Sequence, residues 1–115
     1  MGLVKRGMNI VELQGEVVKP EFKSTSRGYP YFRCRLAVPI THRISVEEII
    51  TKNNHVNLVA WGELAESMKY LRTGHWIRVV GNLQQRRYES KCVSCNSPKT
   101  VFFTDVLVSN FVEVE

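Results

Sequence analysis

The order of local patterns between residues 55 and 88 constrains the fold more than any other feature of this chain. Residues 55–61 alternate apolar and polar side chains, which is the period of a β-strand with one buried face. Apolar residues at helical spacing follow over 63–72, and Gly74 stands where a left-handed C-cap would end a helix. A second, longer alternating segment covers 76–88. We therefore expect a short amphipathic helix between two strands, closing one end of a small β-barrel.

Three more alternating segments complete the pattern. Residues 9–18 form a first strand, the turn residues SRGYP follow at 26–30, and residues 31–38 form a second strand. Residues 101–114 supply the last strand. The order strand, strand, strand, helix, strand, strand predicts an all-β fold with one short helix, namely an OB-fold built as a five-stranded Greek-key barrel.

The segments between these strands are predicted to be loops. Pro20 ends the first strand and Pro39 ends the second, because proline donates no hydrogen bond to a sheet. After Pro39, the capping-box pattern SVEE at 45–48 predicts a helical turn, which residues 52–54 break. Residues 91–100 are predicted to be the turn-rich tip of the last hairpin.

The length of the chain, 115 residues, fits a single domain. We expect a flexible N-terminal segment at 1–8 and one OB-fold domain at 9–115. No apolar run approaches the roughly 20 residues that span a bilayer, and no signal-type apolar core follows the N-terminus. An odd number of cysteines, three, does not form a disulfide framework. These features predict a cytoplasmic, nucleoid-associated protein without membrane partners.

Positive charge is concentrated in two places. The net charge is +5, and residues 19–43 account for all of it. A second basic group follows later in the chain, with Arg86, Arg87, Lys91 and Lys99. Charge alone would also describe a solvated surface, but aromatic residues are interleaved with it: Tyr29, Tyr31, Phe32 and Tyr88. This combination is typical of a groove that binds nucleic acid.

Patterns that would indicate catalysis are missing from the sequence. No Ser-His-Asp or Cys-His set occurs at neighbouring spacing, no glycine-rich loop is suited to a phosphate, and the acidic residues do not cluster. Cys92 and Cys95 have zinc-ligand spacing, yet a structural site needs four ligands and no second pair exists. We therefore expect a binding protein with free thiols, no metal and no cofactor.

Six segments, in unbroken order between residues 9 and 112, resemble the bacterial single-stranded DNA-binding protein (SSB) family. They are NIVELQG at 9–15, PE at 20–21, LAV at 36–38, WGELAE at 61–66, YLRTG at 70–74 and VGNLQ at 80–84. The resemblance implies an OB-fold that assembles as a tetramer, or as a dimer where each chain carries two folds. It also implies that single strands wrap over basic and aromatic faces.

The resemblance places base-stacking side chains on Trp61 and Tyr88, and also on His42 and His55, where the family has tryptophan. Since Leu58 takes the inward phase of its strand, the Trp61 ring is expected in the groove. The remaining expected contacts to single-stranded DNA are Lys23, Arg27, Tyr31, Arg33, Arg35, Asn57, Arg86 and Arg87. The expected function is sequence-tolerant binding of single-stranded DNA in replication, recombination or repair.

A second surface is predicted to hold copies of the chain together. A single small barrel leaves outward residues of its first and fourth strands available for pairing. These residues are Ile10, Glu12, Trp76, Arg78 and Val80. We expect a homo-oligomer, a tetramer before a dimer.

One departure from the family, at the end of the chain, keeps other functions open. The chain ends in FVEVE at 111–115, without the family's acidic, phenylalanine-ended tail, so recruitment of replication and repair proteins through such a tail is not expected. One alternative is a replication-restart accessory that resembles primosomal replication protein N, which also lacks the tail. Another is a protein-interaction module on an OB scaffold.

Overall fold

A computed structural model describes residues 5–91 and 98–114 of the protein, as five strands and one helix. The strands are β1 (Val11–Ser24), β2 (Pro30–Arg43), β3 (Ile49–Trp61), β4 (Trp76–Lys91) and β5 (Pro98–Val114), and helix α1 (Gly62–Met68) joins β3 to β4. Within the described residues, no helix has the length and hydropathy needed to span a bilayer.

The strands close into a barrel in the order β1-β2-β3-β5-β4. β3 and β5 pair in parallel, and the other neighbours are antiparallel. β1 serves two neighbours, because residues 16–24 pair with β2 and residues 11–16 pair with β4. This closed five-stranded barrel with a helix between its third and fourth strands confirms the predicted OB-fold.

One apolar core fills the barrel, and it follows the predicted alternation. Phe32, Cys34 and Leu36 of β2 are all buried, as are Ile77 and Val79 of β4. The helix covers one end of this core through further buried side chains, Ala65 and Met68, followed by Leu71. The predicted role of the helix as a plug is therefore confirmed.

Neither Pro20 nor Pro39 ends its strand, so both predictions were wrong. Pro20 lies at a β-bulge, where the β1–β2 register shifts between Val18 and Glu21 and Lys19 takes a φ of 52°. A bulge leaves one residue outside the ladder, so it tolerates a residue without an N–H. Pro39 lies in the part of β2 beyond the barrel core, where its side chain is exposed.

The predicted loop at 39–54, with its helical turn, is instead a two-stranded arm. β2 and β3 stay in register out to the pair Arg43 and Ile49, so residues 52–54 lie inside β3. Ser45 still caps locally, because its hydroxyl accepts a 3.1 Å hydrogen bond from the Glu48 N–H, but this contact closes the hairpin bend. β-Branched residues before and after the bend favour strands over a helix there.

Three local expectations around helix α1 and strand β4 also change. The helix ends at Met68 rather than at residue 72. Gly74 has the expected positive φ, 105°, but it belongs to the turn before β4, where its N–H donates to the Val17 carbonyl at 3.1 Å. Leu83 continues the alternation of the buried residues Ile77 and Val79, yet half of it is exposed. β1 stops pairing with β4 at Gly81, so Leu83 lies past the covered end of the core.

The barrel closes through a tight contact between β1 and β2 at Gly15. A Cβ atom at this position would lie 2.3 Å from the carbonyl oxygen of Ala37. Glu16, the next residue, pairs with Ala37 on one side and with Trp76 on the other. Only glycine allows the backbones to approach this closely.

The change Gly15→Ala should therefore destabilise the protein, because the added methyl group meets backbone atoms that cannot turn away. We expect the free energy of unfolding to fall by about 1–3 kcal/mol in a denaturant titration. Gly7→Ala is the matched control, since a Cβ atom there has nothing within 4 Å. Equal stability of the two variants would contradict the close approach at Gly15.

The thiol of Cys34 should be unreactive in the folded protein. Burial raises the pKa of Cys34 to about 12, so at pH 8 only roughly one molecule in 10,000 carries the thiolate that reacts. In a Cys92→Ser/Cys95→Ser variant, a thiol reagent should therefore label Cys34 slowly until guanidinium unfolds the chain. Full-rate labelling of the folded variant would show that Cys34 is not enclosed by the core.

Candidate single-strand binding groove

A groove of about 300 Å³ crosses the outer surface of the barrel. It runs over β1, β2, β3 and β5, and one side chain of β4 closes it. Its lining is cationic and aromatic above an apolar floor: Lys19, Glu21, Arg33, Cys34, Arg35, Asn57, Val59, Arg86, Phe103 and Asp105. We call this surface the groove.

An aromatic pair lies beside the groove, on the outer face of the barrel. Lys23 pairs with Tyr31, and Tyr31 pairs with Trp61, so the three side chains form one row across β1, β2 and β3. The ring centres of Tyr31 and Trp61 are 5.4 Å apart and the rings are tilted by 43°. Trp61 keeps 48% of its surface exposed, so a flat apolar face remains available to a ligand.

Arg33 and Arg35 follow Tyr31 along the same face of β2. The guanidinium carbon of Arg33 lies 5.9 Å from the centre of the Tyr31 ring. Both arginines are exposed. Among the residues described, neither is within ion-pairing distance of a carboxylate. The groove therefore carries two cations whose charge is open to solvent.

A third arginine, Arg86, is held very differently. Its guanidinium forms a two-pronged contact with Asp105: Nε donates to Oδ2, and Nη2 donates to Oδ1 at 3.3 Å. The Asp105 side chain is only 1% exposed, whereas that of Arg86 is 42% exposed. The guanidinium carbon also lies 5.6 Å from the centre of the Phe103 ring. Moving the guanidinium away would leave the buried Asp105 carboxylate without a counter-charge, so Arg86 is held in this position.

The cation of Lys23 is paired more loosely. It forms an ion pair with Glu21, and hydrogen bonding by Lys23 lowers the pKa of the Glu21 carboxyl. The same contact raises the pKa of Lys23. Both side chains are about half exposed or more, and exposed pairs of this kind contribute little to stability. Lys23 can therefore exchange Glu21 for another anion at small cost.

The structure distributes the other predicted contacts over several surfaces. Asn57 lines the groove, and register places His55 on the same face of β3. His42 lies on the other face of the arm, beside Ile50. Arg27 is exposed in the β1–β2 turn, and Arg87 contacts Glu89 at 3.4 Å. Tyr88 pairs with Val101 in the sheet, but its side chain lies outside the described part.

Sequence reasoning missed four polar or aromatic residues of the groove: Lys19, Glu21, Phe103 and Asp105. Lys19 and Glu21 lie on either side of Pro20 in β1, past residue 18, where the sequence predicted the first strand to end. Phe103 and Asp105 are two apart on β5, so they share a face. A single carboxylate next to the apolar run of 106–108 was the available signal, because a buried charge requires a partner.

The predicted oligomer residues gather on a separate surface of β1, β4 and β5. Register joins Glu12 to Val80 and Gln14 to Arg78, and the Arg78 guanidinium donates to Gln14 Oε1 at 2.9 Å. Trp76 is 40% exposed at the edge, and Ile10 precedes the row. β5 adds two valines that the sequence prediction did not include, Val112 and Val114. None of these residues lines the groove.

Potential metal ligands are not clustered in the described ranges 5–91 and 98–114. No group of three or more His, Cys, Asp or Glu residues there is placed to hold a metal ion. Cys92 and Cys95 lie outside those ranges.

Comparison with known sequences shows close relationship to one family. The sequence model of the single-strand binding protein family matches residues 8–110. A single-stranded DNA-binding protein of Enterococcus faecalis is 30% identical over 110 residues, which are 94% of this chain and 55% of that protein. Single-stranded DNA-binding protein 2 of Streptococcus agalactiae is 33% identical over 98 residues, 84% of this chain and 69% of that protein. The chain thus spans about half the length of the first relative.

Solved structures show the same fold. The SSB of Plasmodium falciparum in complex with ssDNA superposes with a TM-score of 0.77 at 21% identity, covering 98% of this chain and all of that one. A deletion mutant of the single-stranded DNA-binding protein from Thermus aquaticus gives 0.79 at 21% identity, covering 96% of this chain and 52% of that one. Since the family match extends over nearly the whole sequence, the protein belongs to the single-strand binding protein family.

Proposed function

We propose that the protein binds single-stranded DNA with little sequence preference. The observation that carries this proposal is the exposed Tyr31–Trp61 pair at the end of a groove that presents Arg33 and Arg35. The relatives from E. faecalis and S. agalactiae are named for the same activity. The protein acts by binding and not as an enzyme.

Binding uses two kinds of contact, one to the cations of the groove and its neighbour Lys23 and one to the aromatic pair beside the groove. Unpaired bases stack on the Trp61 ring, and a stacked base contributes about 1–3 kcal/mol. Arg33, Arg35 and Lys23 approach the phosphates and release counterions. Every base has a flat face and every nucleotide has a phosphate, so the contacts tolerate any sequence. Duplex DNA hides its base faces and should bind far more weakly.

The remaining predicted contacts are kept as parts of this proposal. His55 extends the groove face along the arm, and Tyr88 continues β4 two residues beyond Arg86. His42, Arg27 and Arg87 lie on neighbouring surfaces, which a strand reaches only by wrapping around the arm or the turn. We further propose that residues 9–115 act as one binding domain after a flexible segment at 1–8, in cytoplasmic DNA metabolism near the nucleoid.

Self-association is the second part of the proposal. The surface around Trp76, Val80 and Val112 exposes apolar side chains between the strands β1, β4 and β5. The edge charges Glu12 and Arg78 can be satisfied across a two-fold axis. A dimer or tetramer places several grooves on one strand, which raises the effective concentration at the second groove.

A second candidate function is a protein-interaction module. The tip of the β2–β3 arm exposes four aliphatic side chains, Ile44, Val46, Ile49 and Ile50. Stacking on bases requires rings rather than aliphatic groups, so this tip is better suited to a protein surface. If oligo(dT) neither binds nor displaces a protein partner, the interaction module replaces DNA binding as the function.

Trp61→Ala should weaken oligo(dT) binding by about 1–3 kcal/mol, because it removes the exposed stacking face. The loss should be almost the same at low and high salt, since no charge is removed. Fluorescence anisotropy of labelled oligo(dT) measures both quantities. Tyr70→Ala is the matched control: Tyr70 is 47% exposed, but its hydroxyl donates to Glu113 and it is not part of the row of Lys23, Tyr31 and Trp61. Parent-like binding by Trp61→Ala would place the stacking surface elsewhere.

Val112→Lys should dissociate the oligomer, because it buries an unpaired cation beside Arg78 in the proposed interface. Light scattering at micromolar concentration should change from a dimer or tetramer to the 13.3 kDa monomer. Val46→Lys at the exposed arm tip is the control and should leave the mass unchanged. A monomeric parent protein would contradict the proposed self-association.

A further inference from the structure

One charged pair in the groove is unlike the others. Asp105 is the single charged or polar residue that is buried among the described residues, and Arg86 covers it. Two guanidinium nitrogens, Nε and Nη2, point at the carboxylate. The positive charge of Arg86 is therefore neutralised inside the protein before any ligand arrives.

The pair cannot open easily to serve a phosphate. If Arg86 turned toward a phosphate, the Asp105 carboxylate would stay buried without a counter-charge, which is strongly unfavourable. Lys23 differs in this respect, since its partner Glu21 is exposed and can be rehydrated. Arg86 thus keeps its orientation when a strand binds.

The fixed guanidinium nevertheless presents a flat surface. Its carbon is 5.6 Å from the Phe103 ring centre, 42% of the side chain is exposed, and the residue lines the groove. Planar guanidinium groups stack on aromatic rings and on bases as well as pairing with anions. Asn57 of β3 pairs with Asp105 of β5, so a side-chain amide lies beside the ion pair on the neighbouring strand.

We propose that Arg86, neutralised by Asp105, is a stacking platform for an unpaired base, and that it adds affinity without adding to the salt dependence of binding. Asp105 is then a positioning residue that acts through Arg86. This inference rests on the proposed binding of single-stranded DNA. It divides the arginines of the groove into two that neutralise phosphates, Arg33 and Arg35, and one that stacks.

The test is the magnitude of the slope of log affinity against log salt concentration for oligo(dT). Fluorescence anisotropy measures it between about 50 and 400 mM NaCl. Arg35→Ala is the matched control and should lower the slope by about 0.7, the value for one phosphate contact on a single strand. Asp105→Asn keeps the shape of the side chain but removes its charge. It should free the Arg86 cation, steepen the slope by up to about 0.7 and tighten binding at low salt.

The double variant Arg86→Ala/Asp105→Asn leaves no buried charge and so guards against loss of folding, which circular dichroism monitors. It should weaken binding about 5- to 150-fold with the slope of the parent protein. Arg86→Lys retains the ion pair without the planar face, and it should show the same loss with the same slope.

The inference is overturned if the double variant lowers the slope as Arg35→Ala does, since Arg86 would then contact a phosphate. It is equally overturned if the double variant binds like the parent. Failure of the proposed function is a separate result, because it appears as no binding of oligo(dT) by the parent protein itself.

Discussion

The structure depends on how closely the backbone of β1 approaches its neighbours at Gly15. At this point β1 leaves β4 and joins β2, and the Ala37 carbonyl occupies the space where a side chain would be. One strand can therefore belong to both sides of the barrel, which closes around a small core. The two halves of β1 then contribute to two different surfaces, the groove through residues 19–23 and the proposed interface through residues 10–16.

The alternation of inward and outward side chains along β2 links the core to the groove. The inward residues Phe32 and Cys34 are each followed by an outward residue that lines the groove, Arg33 and Arg35 respectively. The interior thus fixes the spacing of the groove cations at two residues, close to 7 Å along a strand. The packing of the core and the placement of the groove cations both follow from the two-residue alternation of β2. A shift of its register by one residue would disrupt both.

Much of this arrangement could be predicted from the sequence. Strand order, the helix between β3 and β4, the inward residues of β2 and the exposure of Trp61 all follow from short-range alternation. The errors occurred where pairing between strands overrides local signals. A bulge admits Pro20 into β1, and continued pairing turns the expected loop at 39–54 into an arm. The pairing of Arg86 with Asp105 joins residues 19 apart on two strands, and no local pattern encodes such a contact.

The central claim is that the groove and the Tyr31–Trp61 pair beside it recognise phosphates together with exposed bases. It is tested most directly by competition, in which unlabelled single-stranded and duplex DNA of equal length and sequence displace labelled oligo(dT) from the parent protein. The account predicts that the single strand competes efficiently at moderate salt and that the duplex competes poorly, because only the single strand offers base faces to Trp61. Equal competition by the two would mean that phosphate charge alone drives binding, and it would contradict the account.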